Sequence, residues 1–152
     1  MSELELREIS NGHKKDLDWI RGQIGREFSL WQSIKLGGTG SPRIFYSEGH
    51  LGLDKVRHSI SGSDYSNIHL YPDGILIRMN INTKVYALPL QFKALGRIRL
   101  TIDSHNVRNC LLEIEIPGSP SLQFYVKYER SKSLVAFLTK RSFNKRFVLE
   151  RL

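Results

Sequence analysis

Residues 68–79, Ile-His-Leu-Tyr-Pro-Asp-Gly-Ile-Leu-Ile-Arg-Met, decide the fold. An apolar run ends at Tyr71, Pro72-Asp73-Gly74 supplies a turn, and a second run begins at Ile75. Proline presets φ for such a turn and glycine tolerates a left-handed position. Ile75, Ile77 and Met79 then share one face of the returning strand. The pattern predicts a β-hairpin, and the chain beyond it repeats the theme. Asn80-Ile-Asn-Thr reads as a second turn. Lys84 to Leu90 reads as a third strand, with Pro89 at its end or on an edge.

Further along, Arg97-Ile-Arg-Leu-Thr-Ile alternates cleanly, which sets Ile98, Leu100 and Ile102 inward. Leu112, Ile114 and Ile116 repeat that pattern, as do Leu122, Phe124 and Val126. Short connections between successive strands make an antiparallel meander, because parallel strands need long crossovers. The period then changes. Leu134, Phe137, Leu138 and Arg141 recur at helical spacing behind Ser131 or Ser133 as a cap. Lys140 and Arg141 suit the dipole at that helix's C-terminus. Residues 144–152 keep Phe147, Val148, Leu149 and Leu152. Three fates are open to this tail: more helix, an edge strand, or contact with a second copy.

Ahead of the hairpin the pattern is weaker. Leu17, Ile20, Ile24 and Phe28 form one stripe of a helix within 14–36, which Trp31 and Ile34 could extend. Gly22 and Gly25 count against it at roughly 1 kcal/mol each. Residues 4–9 are too short and charged to assign. Residues 37–67 are rich in Gly and Ser, with a turn at 37–42 and a short strand from Arg43. The organisation expected is an N-terminal helical extension and linker over 1–42, a β domain with a closing helix over 43–143, and a basic apolar tail over 144–152. The fold class expected is mainly β with a C-terminal α-helix: a curled antiparallel sheet or partly open barrel, with an additional N-terminal helix.

The hairpin Tyr71-Pro-Asp-Gly, the strand end Lys84-Val-Tyr-Ala-Leu-Pro-Leu, the two strands within 111–126 and a closing helix near Lys132 share an order. That order resembles a pleckstrin-homology-like domain, particularly the bacterial PH-like and GRAM-type variants. The similarity covers about residues 68–143. It implies a bent seven-stranded barrel capped by one helix. Members of that family bind phosphoinositides, other lipids, peptides or proteins, and many are scaffolds, so the resemblance implies no single function. Lipid-binding members often place basic residues between the first two strands. Arg43, Lys55, Arg57 and His58 occupy the corresponding region, and no family binding residue maps onto them.

The chain has 152 residues and a net charge of +8. Residues 1–76 hold 9 Lys/Arg against 10 Asp/Glu, and residues 77–152 hold 14 against 5. A basic half steers toward phosphate-bearing partners or simply keeps a protein soluble. The acidic start Met1-Ser-Glu-Leu-Glu-Leu has no apolar core of the kind a secretory signal needs. With the single Cys110, this points to the cytoplasm.

No catalytic motif stands out. His13, His50, His58, His69 and His105 show no metal-ligand spacing. Asp103, His105 and Cys110 lie close in sequence, but Cys110 reads better as the start of a strand. Gly37-Gly-Thr-Gly-Ser lacks the Lys-Ser/Thr of a phosphate loop. Glu113 and Glu115 read as cross-strand partners of Arg97 and Arg99. An enzyme is therefore not expected, nor a metal or other cofactor. The weak binding candidates are Arg43, Lys55, Arg57, Lys127, Arg130, Lys132, Lys140, Arg141, Lys145 and Arg146. A non-catalytic interaction or scaffold module, binding a protein partner or itself, stands first among the expected functions. Peripheral binding to anionic lipid headgroups stands second, and non-specific nucleic-acid binding third.

Overall fold

The computed structural model describes residues 4–56, 64–103, 105 and 108–152. The hairpin at Pro72-Asp73 forms as the sequence predicts. β3 (Tyr65–Tyr71) and β4 (Gly74–Ile81) pair antiparallel, with Tyr71 opposite Gly74 across Pro72-Asp73. β4 then pairs with β5 (Lys84–Gln91). The second turn is tighter than Asn80–Thr83. It is Asn82-Thr83, both at positive φ (52° and 66°), the mirror-image geometry that matches strand twist.

The expected single curled sheet or partly open barrel is not what forms. The strands make two separate open sheets in a mixed α/β fold with a C-terminal helix. The first sheet runs β1-β5-β4-β3, where β1 is Arg7–Glu8. The second runs β2-β8-β7-β6-β9. Its members are β2 (Phe45–Glu48), β6 (Ile98–Ile102), β7 (Asn109–Ile114), β8 (Leu122–Lys127) and β9 (Phe147–Arg151). The physical reason lies at two edges. β1 fills the free edge of β5, with Arg7 opposite Ala87. β9 fills the free edge of β6 in parallel, with Ile98 opposite Phe147. Both edges that would join in a continuous barrel wall are therefore occupied. On the other side, isolated bridges Gly40–His69 and Ile44–Ser66 tie the approach to β2 to the edge of β3.

The inward pattern read from the sequence is present. Ile75, Ile77, Met79, Leu88, Ile98, Leu100, Leu112, Ile114, Leu122, Phe124 and Val126 form one core between the sheets. The closing helix α4 (Ser131–Leu138) adds Leu134, Phe137 and Leu138 to it.

The single N-terminal helix over 14–36 is also corrected. α1 (Lys14–Ile24) stops at Gly25, whose φ of 91° takes the chain out of the helix. α1 lays Ile20 and Ile24 on Tyr71, Leu76 and Ala87, the outer face of the first sheet. Leu17, expected on that stripe, is exposed. A separate short helix, α2 (Leu30–Lys35), follows. α3 (Leu51–Val56) was not anticipated. Its start is held by buried His50, whose Nδ1 accepts from the N–H groups of Gly52 (3.1 Å) and Leu53 (3.3 Å). The polar stretch expected from Ser59 lies outside the described residues up to 63.

Candidate binding surface

α2 is an unusual helix. It buries none of its own residues. Leu30, Trp31 and Ile34 are 81%, 68% and 59% exposed, three large apolar side chains in water on one short helix. A six-residue helix is too short to persist on propensity. Its ends hold it instead. Ser29 Oγ accepts from the Gln32 N–H (3.2 Å), and Gln32 Oε1 accepts from the Ser29 N–H (3.0 Å), a reciprocal capping box. At the other end Gly37 and Gly38 have φ of 74° and 97°. Their N–H groups donate to Ile34 and Ser33 carbonyls at 3.0 and 2.9 Å, a Schellman closure. Phe28 and Leu36, on either side, pack on the main core. The apolar residues are thus held outward on a fixed support.

Cations gather at this helix. Lys35 lies four residues after Trp31 and shares its face. Lys140 Nζ donates to the Leu36 carbonyl, which also compensates the helix dipole. Arg141 follows it in an exposed position. Between α2 and the outer face of the first sheet lies a cavity of about 140 Å³, bordered by Glu27, Ser33, His69, Tyr71 and Arg78. It is small beside the roughly 300–1,000 Å³ of ordinary small-molecule pockets. Glu27 is engaged by Arg21 at 3.0 Å. Arg78 has no carboxylate partner among the described residues. Burial, and then the nearby Arg78 charge, push the His69 imidazole below its usual range. Burial and Glu27 raise the Tyr71 phenol.

The other basic candidates divide. Arg43 lies just ahead of β2 and Lys127 ends β8, whose Tyr125 is opposite Phe45. Lys127 Nζ sits 5.8 Å from the Phe45 ring, and the Arg43 guanidinium 4.2 Å from the Tyr65 ring. Arg130 and Lys132 are exposed at the start of α4. Lys145 is exposed in the turn before β9, at φ 61°. Arg146 is structural: it donates to the carbonyls of Phe143 (3.0 Å) and Phe92 (3.1 Å). Arg57, His58 and the side chain of Lys55 lie outside the described residues. The outward charges of the second sheet pair in part as expected, with Arg99 3.8 Å from Glu113. Arg99 also reaches Glu150 at 3.7 Å, a partner not anticipated.

Cys110 is buried, and burial raises its thiol pKa, which disfavours the reactive thiolate. His105 donates its backbone N–H to Asp103 Oδ1 at 2.9 Å, a local turn. Among the described residues no three His, Cys, Asp or Glu side chains come together to hold a metal ion. No helix among them is long and apolar enough to cross a membrane.

Sequence reasoning noticed Trp31 and Ile34 but placed them on a buried stripe. The signal that they face outward was present as Ser29-x-x-Gln32 and Gly37-Gly38, the start and stop of a helix too short to bury anything. No family profile matches this sequence, and no curated protein matches it.

Proposed function

We propose that the protein is a non-catalytic module that docks on anionic lipid surfaces, with α2 as the inserting element. The exposed trio Leu30, Trp31 and Ile34 carries this reading. Tryptophan favours the membrane–water interface, where its amphipathic ring sits at headgroup level. Each large apolar side chain moved out of water contributes about 1.5–3 kcal/mol when fully buried. Lys35, Lys140 and Arg141 supply charge at about 1 kcal/mol per residue near an anionic surface. Arg78 adds a cation at the cavity beside the helix. The net charge of +8 favours an anionic surface as well.

Vesicle flotation tests it. Protein should float with vesicles containing anionic lipid at about 0.05 M salt and much less at about 0.5 M, where the Debye length is short. Trp31→Ala should weaken binding at least tenfold, the equivalent of about 1.4 kcal/mol, without lowering thermal stability. Equal flotation with neutral vesicles, or an unaffected Trp31→Ala variant, would defeat the reading. A protein surface docking on α2 instead would leave flotation absent at both salt concentrations.

A further inference from the structure

β9 is the outermost strand of the second sheet, and its backbone parity determines what it can accept. The Ile98 N–H donates to the Arg146 carbonyl (3.0 Å), and the Leu152 N–H to the Ile102 carbonyl (2.9 Å). The register runs in parallel from Ile98–Phe147 to Ile102–Arg151. In a β-ladder alternate residues turn both backbone groups toward one neighbour. The even-numbered residues of β9 therefore face β6. Phe147, Leu149 and Arg151 turn their N–H and C=O groups away from the sheet. This edge also carries exposed apolar side chains: Val148 and Leu149 at 37% each, and Leu152 at 66%. Natural sheets cover, charge or twist away such an edge, because it is a template for another strand.

We propose that β9 pairs antiparallel with β9 of a second copy, about a two-fold axis through Leu149. An isologous contact of this kind must be self-complementary. Backbone parity admits only pairings between outward-facing residues. With the axis at Leu149, Leu149 meets its counterpart, and Phe147 of each copy meets Arg151 of the other. All three outward residues of each strand exchange hydrogen bonds. The Arg151 guanidinium comes beside an aromatic ring, a favourable cation–π arrangement. Val148 of each copy lies opposite Glu150 of the other, so no like charges meet. Moving the axis to Glu150 sets that carboxylate against itself, which is unfavourable. Moving it to Val148 leaves Arg151 unpaired. The second sheet becomes continuous across the two copies. This contact does not involve α2 and stands independently of lipid docking.

Light scattering on the full chain should give twice the 17.6 kDa chain mass at concentrations on the order of 100 µM. Leu149→Pro removes only an outward N–H, which edge strands tolerate, so the ladder to β6 stays intact. That variant should be monomeric, with an unchanged circular dichroism spectrum. Val148→Pro removes the donor to Ile98 and should loosen β9 from its own sheet. The register is tested by oxidation. Opposed hydrogen-bonded residues have Cα atoms about 5.5 Å apart, within disulfide reach. Leu149→Cys should form a covalent dimer on mild oxidation and Val148→Cys should not, while buried Cys110 stays out of the exchange. A monomeric wild type, a folded Leu149→Pro that remains dimeric, or cross-linking through Val148→Cys instead of Leu149→Cys would each overturn the proposal.

Discussion

Replacing Phe124 with alanine is expected to lower the unfolding free energy by about 3–5 kcal/mol, the usual loss for a buried aromatic ring. Phe124 has no solvent exposure. On β8 it lies between Tyr46 of β2 and Leu112 of β7, so it sits inside the second sheet. Its ring meets Tyr46 edge-on, with centroids 5.7 Å apart at 76°. Such an aromatic pair adds about 0.5–1.5 kcal/mol beyond area burial. The Tyr46 hydroxyl is committed elsewhere: it donates to Asp54 Oδ1 (2.7 Å) and accepts from the His50 N–H (2.7 Å). Tyr46 therefore cannot swing in to fill the space that Phe124 leaves. Phe124→Leu should cost less, because it keeps most of the apolar volume. Denaturant titration would read both, with a slope unchanged if the unfolded states match. A loss below about 1 kcal/mol for the alanine variant would mean that the two sheets do not pack across this ring.

Phe143→Ala should cost a similar amount, about 3–5 kcal/mol, and act on one element in particular. Phe143 lies in a single 3-10 turn (Arg141–Phe143) between α4 and β9. It is fully buried and meets Phe137 at 5.3 Å and Phe92 at 6.2 Å, both edge-on. Arg146 ties the same turn down by donating to the carbonyls of Phe143 and Phe92. These contacts aim the chain back along β6. Loss of the ring should free β9 before the rest of the fold. Amide exchange at Val148, Glu150 and Leu152, which bond to β6, should then accelerate more than at Ile75, Ile77 and Leu88. Uniform acceleration would show that β9 and the β4–β5 pair open as one unit.

The β3–β4 hairpin was readable because three signals agree there. Ile75, Ile77 and Met79 alternate, Pro72-Asp73-Gly74 breaks the run, and a second turn follows within a strand's length. The same agreement made β6, β7, β8 and α4 readable. Sheet organisation was not, because alternation says which face a residue takes and nothing about the neighbouring strand. Two short segments decided it. Arg7–Glu8 is too brief to show a period, and its strand exists because β5 offers an open edge. Phe147–Arg151 carries apolar residues at consecutive positions, so it fits strand and helix alike. Its parallel docking needed the long return through β7, β8 and α4, which a reading of local connections does not count.

The binding surface was legible only in part. A tally of Lys and Arg pointed to many side chains, yet Arg146 serves carbonyl groups and Arg99 serves carboxylates. Lys140 was legible as a helix-terminal cation, but its position beside α2 depends on a hydrogen bond to Leu36 from far along the chain. Charge composition is blind to that distinction. Trp31 misled for the opposite reason: a large apolar residue on a helical stripe usually means core. Its outward placement follows from the capping of α2 at both ends.

The most direct test of lipid docking uses Trp31 as its own reporter. The chain has two tryptophans, and Trp19 lies half-buried under the Arg7 guanidinium. In a Trp19→Phe variant, emission comes from Trp31 alone. Adding vesicles with anionic lipid at low salt should shift that emission to the blue, and brominated acyl chains should quench it, because the indole enters the interface. Emission unchanged by those vesicles would show that α2 stays in water, which contradicts the account.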